Sequence, residues 1–394
     1  MKKILFYCHV FYPQQSGYSH AFQNLIFSLL ETYKDYHITV VTPHPLGNYP
    51  ELKKERLKII RLKPKIKIKK IRYFINSFFY AKEVSRIFKQ NNYDILIIET
   101  FDEAIFLSFL EKEVYNKLAV RVHSTSETEY TFFENKFFFL IRRVLIKNVI
   151  LKRIKWILST NSYHIDFVKK YYFKGNQIKI GNVSFFLVSN TLFSENNLYG
   201  NINLTPSKNL KVFLLGRLDD LGFNQKGFQD FIYALRLIGD KAKIFDITIV
   251  GRGQNKEKLM KLSKGINNIN FIDSLPHKEV INYLKKSDIV VLPSRYEGLS
   301  MFALEAIATG NLCIFSKTGG LVDLIDNNGY LFEPQNIEEL AKILDRLSKM
   351  DKHEIEKMKK NSIELFNKKF APHIIAEKFD KVYSIIKDIG ECAV

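Results

Sequence analysis

Two glutamates flank a glycine turn and an apolar segment in the second half of the chain. Glu297 directly precedes Gly298, and Glu305 follows with seven residues between the two carboxylates. The pattern predicts a strand ending at Leu292 and a helix opening near Ser300, which would turn both carboxylates toward the same side. Because a carboxylate accepts hydrogen bonds from paired hydroxyls, this spacing predicts a site for a ribose or a hexose.

The start of the predicted helix adds a second kind of contact. Gly298 allows a ligand to approach the backbone closely, and the N–H groups of Leu299, Ser300 and Met301 would form a site for a diphosphate or a sugar oxygen. The bland alternative is a carboxylate at a helix start and a solvent-facing Glu305. Since Glu305 lies among apolar neighbours, we expect it to be buried and to need a partner.

Two cations lie near glycines that follow a predicted strand. Arg217 comes directly after Gly216, and Lys226 precedes a predicted helix. An arginine can bind a diphosphate through two parallel bonds, whereas a lysine offers a compact charge. Solvated surface charge is the alternative for both. Gly251, after the next strand, and the segment 317–321 could approach a ligand or simply allow tight packing.

Together these residues resemble the retaining nucleotide-sugar glycosyltransferases of the GT-B fold, family GT4 (glycosyl transferases group 1), from about Leu210 to Pro334. The resemblance implies that Glu305 binds the nucleotide ribose and that Glu297 contacts the donor sugar. It also implies that Arg217 and Lys226 bind the diphosphate. The segment between these two cations is longer than in the family pattern.

The first half carries a thinner resemblance. Residues 12–17 resemble the glycine-rich loop after the first strand, although Ser16 replaces one glycine, so close approach to the diphosphate depends on Gly17. His123 ends a predicted strand, where many members of the family place a histidine near the transferred sugar. A structural histidine is the alternative at this position.

Short apolar runs alternate with helical patterns throughout the 394 residues, which predicts parallel sheets built from βαβ units. The expected fold class is α/β, with two Rossmann-like doubly wound domains facing each other across a cleft. We expect an acceptor-binding domain over residues 1–193, a linker over 194–209, a donor-binding domain over 210–366, and a terminal helix over 367–394 that crosses back to the first domain.

Positive charge is concentrated in the first half. Residues 1–200 hold 31 Lys and Arg against 16 Asp and Glu, an excess of 15, whereas the rest of the chain has an excess of 4. Residues 61–72 and 136–156 each carry seven positive charges and no acid, and the second run includes Phe137–Phe139 and Trp156. Such runs suit an anionic membrane surface. Nucleic acid and a merely solvated basic surface are the alternatives, and no nucleic-acid motif accompanies the charge.

Metal and disulfide chemistry are not expected. The three cysteines lie far apart, and we expect Cys8 and Cys313 to be buried thiols in a reducing compartment. No Asp-x-Asp triplet is present, and the resemblance implies a metal-independent reaction without a cofactor. We see no signal peptide and no spanning segment, so the expected location is the cytoplasm, peripheral to the inner face of the membrane.

The expected function is transfer of a sugar, with retention of configuration, from a nucleotide sugar to a lipid-linked or surface-polysaccharide acceptor. A uridine diphosphate sugar is the first donor to consider, and a front-side mechanism is the preferred hypothesis. Two alternatives remain at this point: a GT-B nucleotide-sugar epimerase or phosphorylase, and a noncatalytic protein that binds membranes or polyanions through the basic half.

Overall fold

The computed structural model describes residues 1–13, 17–45, 51–66, 72–123, 136–173, 183–193, 199–200 and 202–391. The chain divides into two compact units, of which the first contains residues 1–193 and 372–394 and the second contains residues 194–371. Parts of the sequence predictions fall on residues 14–16, 67–71, 124–135, 174–182, 194–198 and 201, outside the described residues.

The first unit contains a seven-stranded sheet with the order β3-β2-β1-β4-β5-β6-β7. Its neighbouring strands are parallel. The order reverses between β1 and β4, and ligands of doubly wound sheets bind beyond the carboxyl ends of the strands at such a switch point. The strands are β1 Lys2–Tyr7, β2 Tyr36–Pro43, β3 Leu57–Leu62, β4 Ile95–Ile98, β5 Leu118–Val122, β6 Trp156–Ser159 and β7 Ser184–Leu187.

Helices connect these strands, as the alternating sequence pattern predicts. The apolar side chains of β1 and β4 are fully buried, because helices cover both faces of a parallel sheet. The helices are α1 Gly17–Thr32, α2 Arg72–Gln90, α3 Ala104–Ser108, α4 Lys136–Leu145 and α5 Ser162–Val168, the last two extended by π-helical turns.

The second unit repeats this plan with six strands in the order β10-β9-β8-β11-β12-β13. All the pairs are again parallel, and the switch point lies between β8 and β11. The strands are β8 Leu210–Leu215, β9 Phe245–Val250, β10 Ile269–Ile272, β11 Ile289–Leu292, β12 Leu312–Ser316 and β13 Gly329–Phe332. The two sheets confirm the predicted α/β class and its two Rossmann-like parts.

The helices of the second unit follow the predicted segments within a few residues, except that α6 was not predicted. They are α6 Asp220–Lys226, α7 Phe228–Ile238, α8 Lys256–Leu262, α9 His277–Lys286, α10 Met301–Ala308, α11 Ile337–Leu347 and α12 Lys352–Lys369. A final helix, α13 Pro372–Glu391, belongs to the first unit and packs against α1.

The observed boundaries differ from the predicted ones at two places. Residues 194–209 cluster with the second unit, although we placed a linker there. Helix α12 continues to Lys369 because no breaking residue interrupts it, so the return to the first unit begins at Pro372 rather than at residue 367. Proline is well suited to that position, since it lacks the N–H that the first turn of a helix leaves unbonded.

Side-chain burial confirms one prediction and overturns another. Cys8 and Cys313 are buried free thiols, as expected from their apolar surroundings. Trp156 is 1% exposed and belongs to the core of the first unit, so the idea that it lies among basic residues at a surface is wrong. It is the first residue of a central strand, whose inward side chains pack under helices. Within the described ranges, no helix has the length and apolar character needed to span a bilayer.

Candidate active site

The turn after β11 lies at the switch point of the second sheet, between the loops that follow β8 and β12. The N–H of Arg295 donates to the Gln225 carbonyl at 2.8 Å, and the N–H of Gly320 donates to the Gly298 carbonyl at 2.7 Å. Gly319 has φ +52, and a Cβ there would lie 1.7 Å from the Glu297 carbonyl oxygen. This contact explains why glycine follows β12 in the predicted loop at 317–321.

Helix α10 begins where the sequence predicts it. Ser300 is the N-cap residue, and its hydroxyl accepts from the Ala303 N–H at 3.4 Å. The predicted amide positions, Leu299, Ser300 and Met301, therefore lie at the start of this helix. The interior of α10 is buried on nearly every side, because it packs against both the sheet and α12.

Glu297 and Lys226 form an ion pair at the entrance to this turn. The Lys226 ammonium donates to the Glu297 carboxylate, whose Oε1 also accepts from the Ser294 hydroxyl at 3.0 Å. The side chains of Lys226 and Glu297 are 16% and 8% exposed. The structure therefore brings together two predicted residues that lie 71 positions apart in the sequence.

The longer segment before Lys226 folds into helix α6. Asp219 caps this helix by accepting from the Gly222 N–H at 2.6 Å, and the helix ends at Gly227 with φ +62. A Cβ at Gly227 would lie 2.3 Å from the Pro293 carbonyl oxygen, and one at Gly216 would lie 2.8 Å from Lys226 Cγ. The extra residues thus form a helix that returns Lys226 to the end of β8.

Arg217 and Gly251 differ in what surrounds them. The Arg217 side chain is 65% exposed and lies 3.6 Å from the Asp219 carboxylate, so it can turn toward a ligand at little cost. Gly251 packs against the loop after β8, where a Cβ would lie 2.4 Å from the Gly216 carbonyl oxygen. Tight packing of neighbouring loops accounts for this glycine without a ligand.

Glu305 has the partner that its predicted burial requires. It is 7% exposed, and its Oε1 lies 2.7 Å from Nε2 of His277, the first residue of α9. The hydrogen bond to Glu305 raises the pKa of His277 above its usual value. Burial, and then the nearby Glu305 charge, raise the pKa of the Tyr199 phenol. A carboxylate with one bound oxygen retains capacity to accept from a hydroxyl.

The first unit places His123 in a buried ionic cluster at the carboxyl ends of β4 and β5. The imidazole contacts the carboxylate of Glu99, and its Nε2 lies 2.7 Å from a terminal nitrogen of Arg121. The Tyr18 ring packs edge-on against the imidazole, with 5.0 Å between the ring centres. Gly17 begins α1 at the end of the predicted glycine-rich loop, of which residues 14–16 lie outside the described part of the chain.

Sequence reasoning missed three of the residues that build these sites. His277 gave no signal, because it begins an ordinary surface helix. Arg121 and Glu99 gave a weak one: a cation inside an apolar strand and a carboxylate at the end of another both require a buried partner. Over the residues that the structure describes, no cluster of three or more potential ligands suited to a metal ion occurs.

Comparison with solved structures identifies the fold. The chain is similar to sucrose-phosphate synthase from Thermosynechococcus elongatus, with a TM-score of 0.74, 17% identity, and coverage of 98% of this chain and 99% of that one. This similarity extends over both units, and the architecture is therefore that of the GT-B class.

Comparison of sequences finds a family resemblance in the second unit. Residues 199–365 match the model of glycosyl transferases group 1. An uncharacterized glycosyltransferase of Haemophilus influenzae is 30% identical over 175 residues, which is 43% of this chain and 47% of the relative. The amylovoran biosynthesis glycosyltransferase AmsK of Erwinia amylovora is 29% identical over 150 residues, or 35% and 36%. The matches thus span less than half the length of these relatives.

Proposed function

We propose that this protein is a glycosyltransferase that moves a sugar from a nucleotide-sugar donor, bound by the second unit, to an acceptor bound by the first. The observation that carries the proposal is the arrangement of Lys226, Glu297 and Glu305 beside the switch point of the second sheet. These residues lie in the segment that matches the family model. Cations and helix amides there suit a diphosphate, and carboxylates suit sugar hydroxyls.

Each charged residue has a role in donor binding under this proposal. Arg217 and Lys226 bind the diphosphate, Glu305 accepts from the ribose hydroxyls, and Glu297 accepts from a hydroxyl of the transferred sugar. The Lys226–Glu297 pair holds both side chains in place before the donor arrives, so less conformational freedom is lost on binding.

The reaction proceeds with retention of configuration by front-side attack. The bond between the anomeric carbon and the diphosphate oxygen breaks, and the acceptor oxygen bonds to that carbon on the same face. The acceptor proton passes to the departing phosphate oxygen. Arg217, Lys226 and the amides at the start of α10 offset the charge that develops on the leaving group, so the reaction needs no metal ion.

The name of one relative supports a class of acceptor. The name of AmsK assigns that protein to the biosynthesis of a polysaccharide, amylovoran, and we propose a surface polysaccharide or lipid-linked glycan as acceptor here. A uridine diphosphate hexose is the first donor to test. Among the described residues of the second unit, we assign no aromatic or charged side chain to the nucleobase. The donor screen therefore varies the base as well as the sugar.

The surface of the first unit supports a membrane location for the acceptor. Phe79, within α2, and Phe109, directly after α3, are 40% and 41% exposed, and both rings pack edge-on against Phe78. A groove of about 630 Å³ between β3 and α2 is lined by five cations and two acids. We call this the basic groove; its charged lining residues are Arg61, Lys63, Lys65, Lys82, Arg86, Glu83 and Glu111.

Apolar side chains beside a net positive surface suit the headgroups of an anionic bilayer. Glu83 is paired with Arg86, and Asn76 of α2 holds the backbone of residues 65 and 66 at the rim of the groove. We therefore propose a peripheral location on the inner face of the cytoplasmic membrane and no role in nucleic-acid binding.

A donor screen tests the proposed function. We would incubate the protein with a panel of nucleoside diphosphate hexoses and a lipid extract of a bacterial envelope, and measure release of nucleoside diphosphate with and without EDTA. We expect turnover with one donor in both conditions, and loss of turnover in Glu305→Ala and Arg217→Ala. NMR of the product anomer reports on retention.

Matched controls make the screen decisive. Asp345→Asn and Lys241→Met remove the partners of an exposed ion pair elsewhere in the second unit and should leave turnover unchanged. If no nucleotide sugar raises the melting temperature or is consumed, the proposal fails. Turnover that survives both site variants would place the donor elsewhere, and release of an epimerised free sugar without acceptor would favour an epimerase.

A further inference from the structure

The carboxyl ends of β4 and β5 in the first unit enclose charges that are completely buried. Glu99 and Arg121 are each 0% exposed and lie 3.2 Å apart, measured from the carboxylate Oε2 to a guanidinium Nη1. The other terminal nitrogen of Arg121 donates to Asn190 Oδ1 at 3.1 Å and lies 3.5 Å from the carbonyl oxygens of residues 188 and 189. Arg121 thereby joins β5 to the segment that follows β7.

Stability alone does not explain this arrangement. A buried ion pair costs so much desolvation that apolar residues of similar volume often serve a fold equally well. The cluster is also not saturated: within the described residues, Glu99 Oε1 and Arg121 Nε have no hydrogen-bond partner. An ionic group kept at this position of a doubly wound sheet therefore suggests a role in the chemistry of the site.

Nε2 of His123 contacts two groups, the Glu99 carboxylate, which can only accept a hydrogen bond, and Arg121 Nη1, which can only donate one. Because Arg121 Nη1 has the same Glu99 Oε2 as its acceptor at 3.2 Å, we assign both donors to that oxygen and the proton of the imidazole to Nε2. Nδ1 is then the unprotonated acceptor of the neutral imidazole. The same logic fixes histidine orientation in other sites, where a carboxylate behind the ring holds one tautomer.

The surroundings also keep the ring uncharged. Burial first, and then the Arg121 charge, lower the pKa of His123 below its usual value, although Glu99 opposes this effect. His164, from α5, is buried nearby with a pKa lowered to about 4, so it adds no charge, and Tyr18 contributes an aromatic edge. For Glu99, burial alone would raise the pKa, but Arg121 and His123 hold it below its usual value.

We propose that Glu99 and Arg121 are positioning residues for His123, which they hold as a neutral imidazole with its proton on Nε2 and with Nδ1 as an acceptor for a sugar hydroxyl. Glu99 fixes the tautomer and the orientation of the ring, and Arg121 keeps Glu99 ionised and disfavours a second proton on the imidazole. This inference rests on the proposed function for the identity of the ligand, a sugar, but the state of the ring can be measured without turnover.

NMR of the imidazole nitrogens tests the proposal in the full-length protein, with the His123 signals assigned through His123→Gln. In the unaltered protein we expect the Nε2–H tautomer and no charge at pH 7. In Glu99→Gln we expect a mixture of tautomers, and in Arg121→Met a titration midpoint at higher pH, because a repelling cation has been removed. A charged ring or an Nδ1–H tautomer in the unaltered protein would overturn the proposal, whether or not the variants fold.

Kinetics supply the second readout. At metal sites, loss of the group that orients a ligating histidine costs about 10- to 100-fold in activity, and by analogy we expect Glu99→Gln to lower kcat by a similar factor with little change in KM for the donor. The acid limb of the pH profile should move to higher pH in Arg121→Met and return toward the original in Arg121→Lys. Glu31→Gln, which removes the partner of Lys54 elsewhere in the first unit, is the matched control and should change nothing.

The two proposals fail in distinguishable ways. An unaltered protein without transferase activity would contradict the proposed function but leave the NMR prediction standing. Variants that are folded, with the same tautomer, the same midpoint and the same kcat as the original, would show that Glu99 and Arg121 serve the fold only.

Discussion

Each of the two sheets gathers charged side chains near its switch point, but the two groups differ in burial and in what holds them. In the second unit, Lys226–Glu297 and His277–Glu305 are pairs in which one member is partly exposed, and glycine loops enclose them closely. In the first unit, Glu99 and Arg121 are completely enclosed. A charged group that contacts a ligand must be accessible to it, whereas a charged group that orients a neighbouring side chain need not be.

The difference teaches how to separate charges that bind from charges that position. Exposure of at least one partner leaves the pair accessible to a ligand, as the proposed donor-binding roles of Lys226 and Glu305 require. Complete enclosure leaves a role only through a neighbour, and His123, at 8% exposure, is that neighbour. A third kind, structural only, is provided by Asp288 and Lys359, a pair with 2% exposure of each side chain.

The largest expected effect is on that structural pair. Asp288 precedes β11, at the amino edge opposite the candidate site, and accepts from Lys359 at 2.9 Å and from the backbone N–H groups of residues 207 and 211. Lys359→Met leaves a buried carboxylate without its counter-charge, so we expect a loss of about 3–5 kcal/mol in the free energy of unfolding of the second unit. Urea denaturation measures it.

A partly exposed ion pair on the same helix provides the control for this test. Lys360→Met removes a lysine whose partner, Glu356, is one turn away on the same helix, and solvent screens this pair so well that we expect no resolvable change in the free energy of unfolding. Below the unfolding transition, the Lys359 variant should retain the kcat of the original. If kcat falls while the protein is folded, enclosure does not separate structural charges from functional ones.

The next largest effect is expected at Lys226. Lys226→Met removes a charge that we assign to the leaving diphosphate, and loss of one such stabilising group costs about 2.7–4 kcal/mol in the transition state, or about 10²–10³-fold in kcat. It also removes the counter-charge of the Glu297 carboxylate, which keeps its hydrogen bond from the Ser294 hydroxyl. Steady-state release of nucleoside diphosphate measures the change.

Lys241→Met is the matched control for Lys226, since it too removes a lysine from an ion pair of the second unit. An equal loss of activity in the two variants would mean that the location of Lys226 near the switch point does not matter for activity. A loss confined to Lys226 that appears in KM rather than in kcat would reassign this lysine to ground-state binding.

Substitution of Glu305 should have a smaller effect, and that effect should be on the affinity for the nucleoside diphosphate. Hydrogen bonds to a charged group are worth about 1.5–3 kcal/mol, so Glu305→Ala should weaken binding of the nucleoside diphosphate by about 10- to 100-fold, as measured by calorimetry. Glu99→Gln in the first unit should leave that affinity unchanged. If both variants weaken nucleotide binding alike, the assignment of the donor to the second unit is wrong.

The predictability of these sites follows from how far apart their residues are in sequence. Glu297 and Glu305 belong to one strand–turn–helix segment, so local periodicity was sufficient to place one at the turn and the other in the helix. Their partners could not be predicted in this way, because Lys226 and His277 reach them through the fold. The parallel sheets, by contrast, followed from apolar runs such as Phe245–Val250 that match strands residue for residue.

Two errors show what local patterns omit. Strand β13, Gly329–Phe332, was not predicted, because glycine weakens a strand pattern; in the fold a Cβ at Gly329 would lie 1.8 Å from the Cys313 carbonyl oxygen. Trp156 was assigned to a basic surface because lysines and arginines surround it in sequence. Its strand lies inside the sheet, and the neighbouring charges lie on the turns around it.

Binding of the first unit to an anionic membrane should depend on the lysines of the basic groove, with a modest effect for each lysine. One lysine near an anionic surface contributes about 1 kcal/mol, so Lys82→Gln in the basic groove should weaken partition onto vesicles with anionic lipid about fivefold at low salt. Lys112→Gln, also in the first unit but outside the groove, is the control. Sedimentation with vesicles measures the partition, and neutral vesicles should bind little.

Two results would contradict this surface assignment. Equal effects of the two lysine variants would indicate a diffuse attraction rather than a defined groove. Tight binding of a DNA duplex in the same assay, with vesicle binding absent, would favour the nucleic-acid alternative.

The smallest expected effect is on the pH dependence of stability, which should have opposite signs for the ionic groups of the two units. The pKa of His277 is raised by its bond to Glu305, so the stability from this pair is present below the unfolded value of about 6.5 and is lost as pH rises through the folded value. For Glu99 the folded pKa is lowered, so its contribution is present above the unfolded value of about 4.3 and is lost on acidification.

We therefore expect His277→Gln to lower the melting temperature of the second unit at pH 6 and to have a vanishing effect at pH 9. His353→Gln, on the exposed start of α12, should change neither value. The His277 side chain is 55% exposed, so solvent screens the pair and the shift should be small. A difference that grows with pH would show that Glu305 is held by something other than the protonated imidazole, and the contrast between an open, exchangeable pair and an enclosed, positioning one would lose its basis.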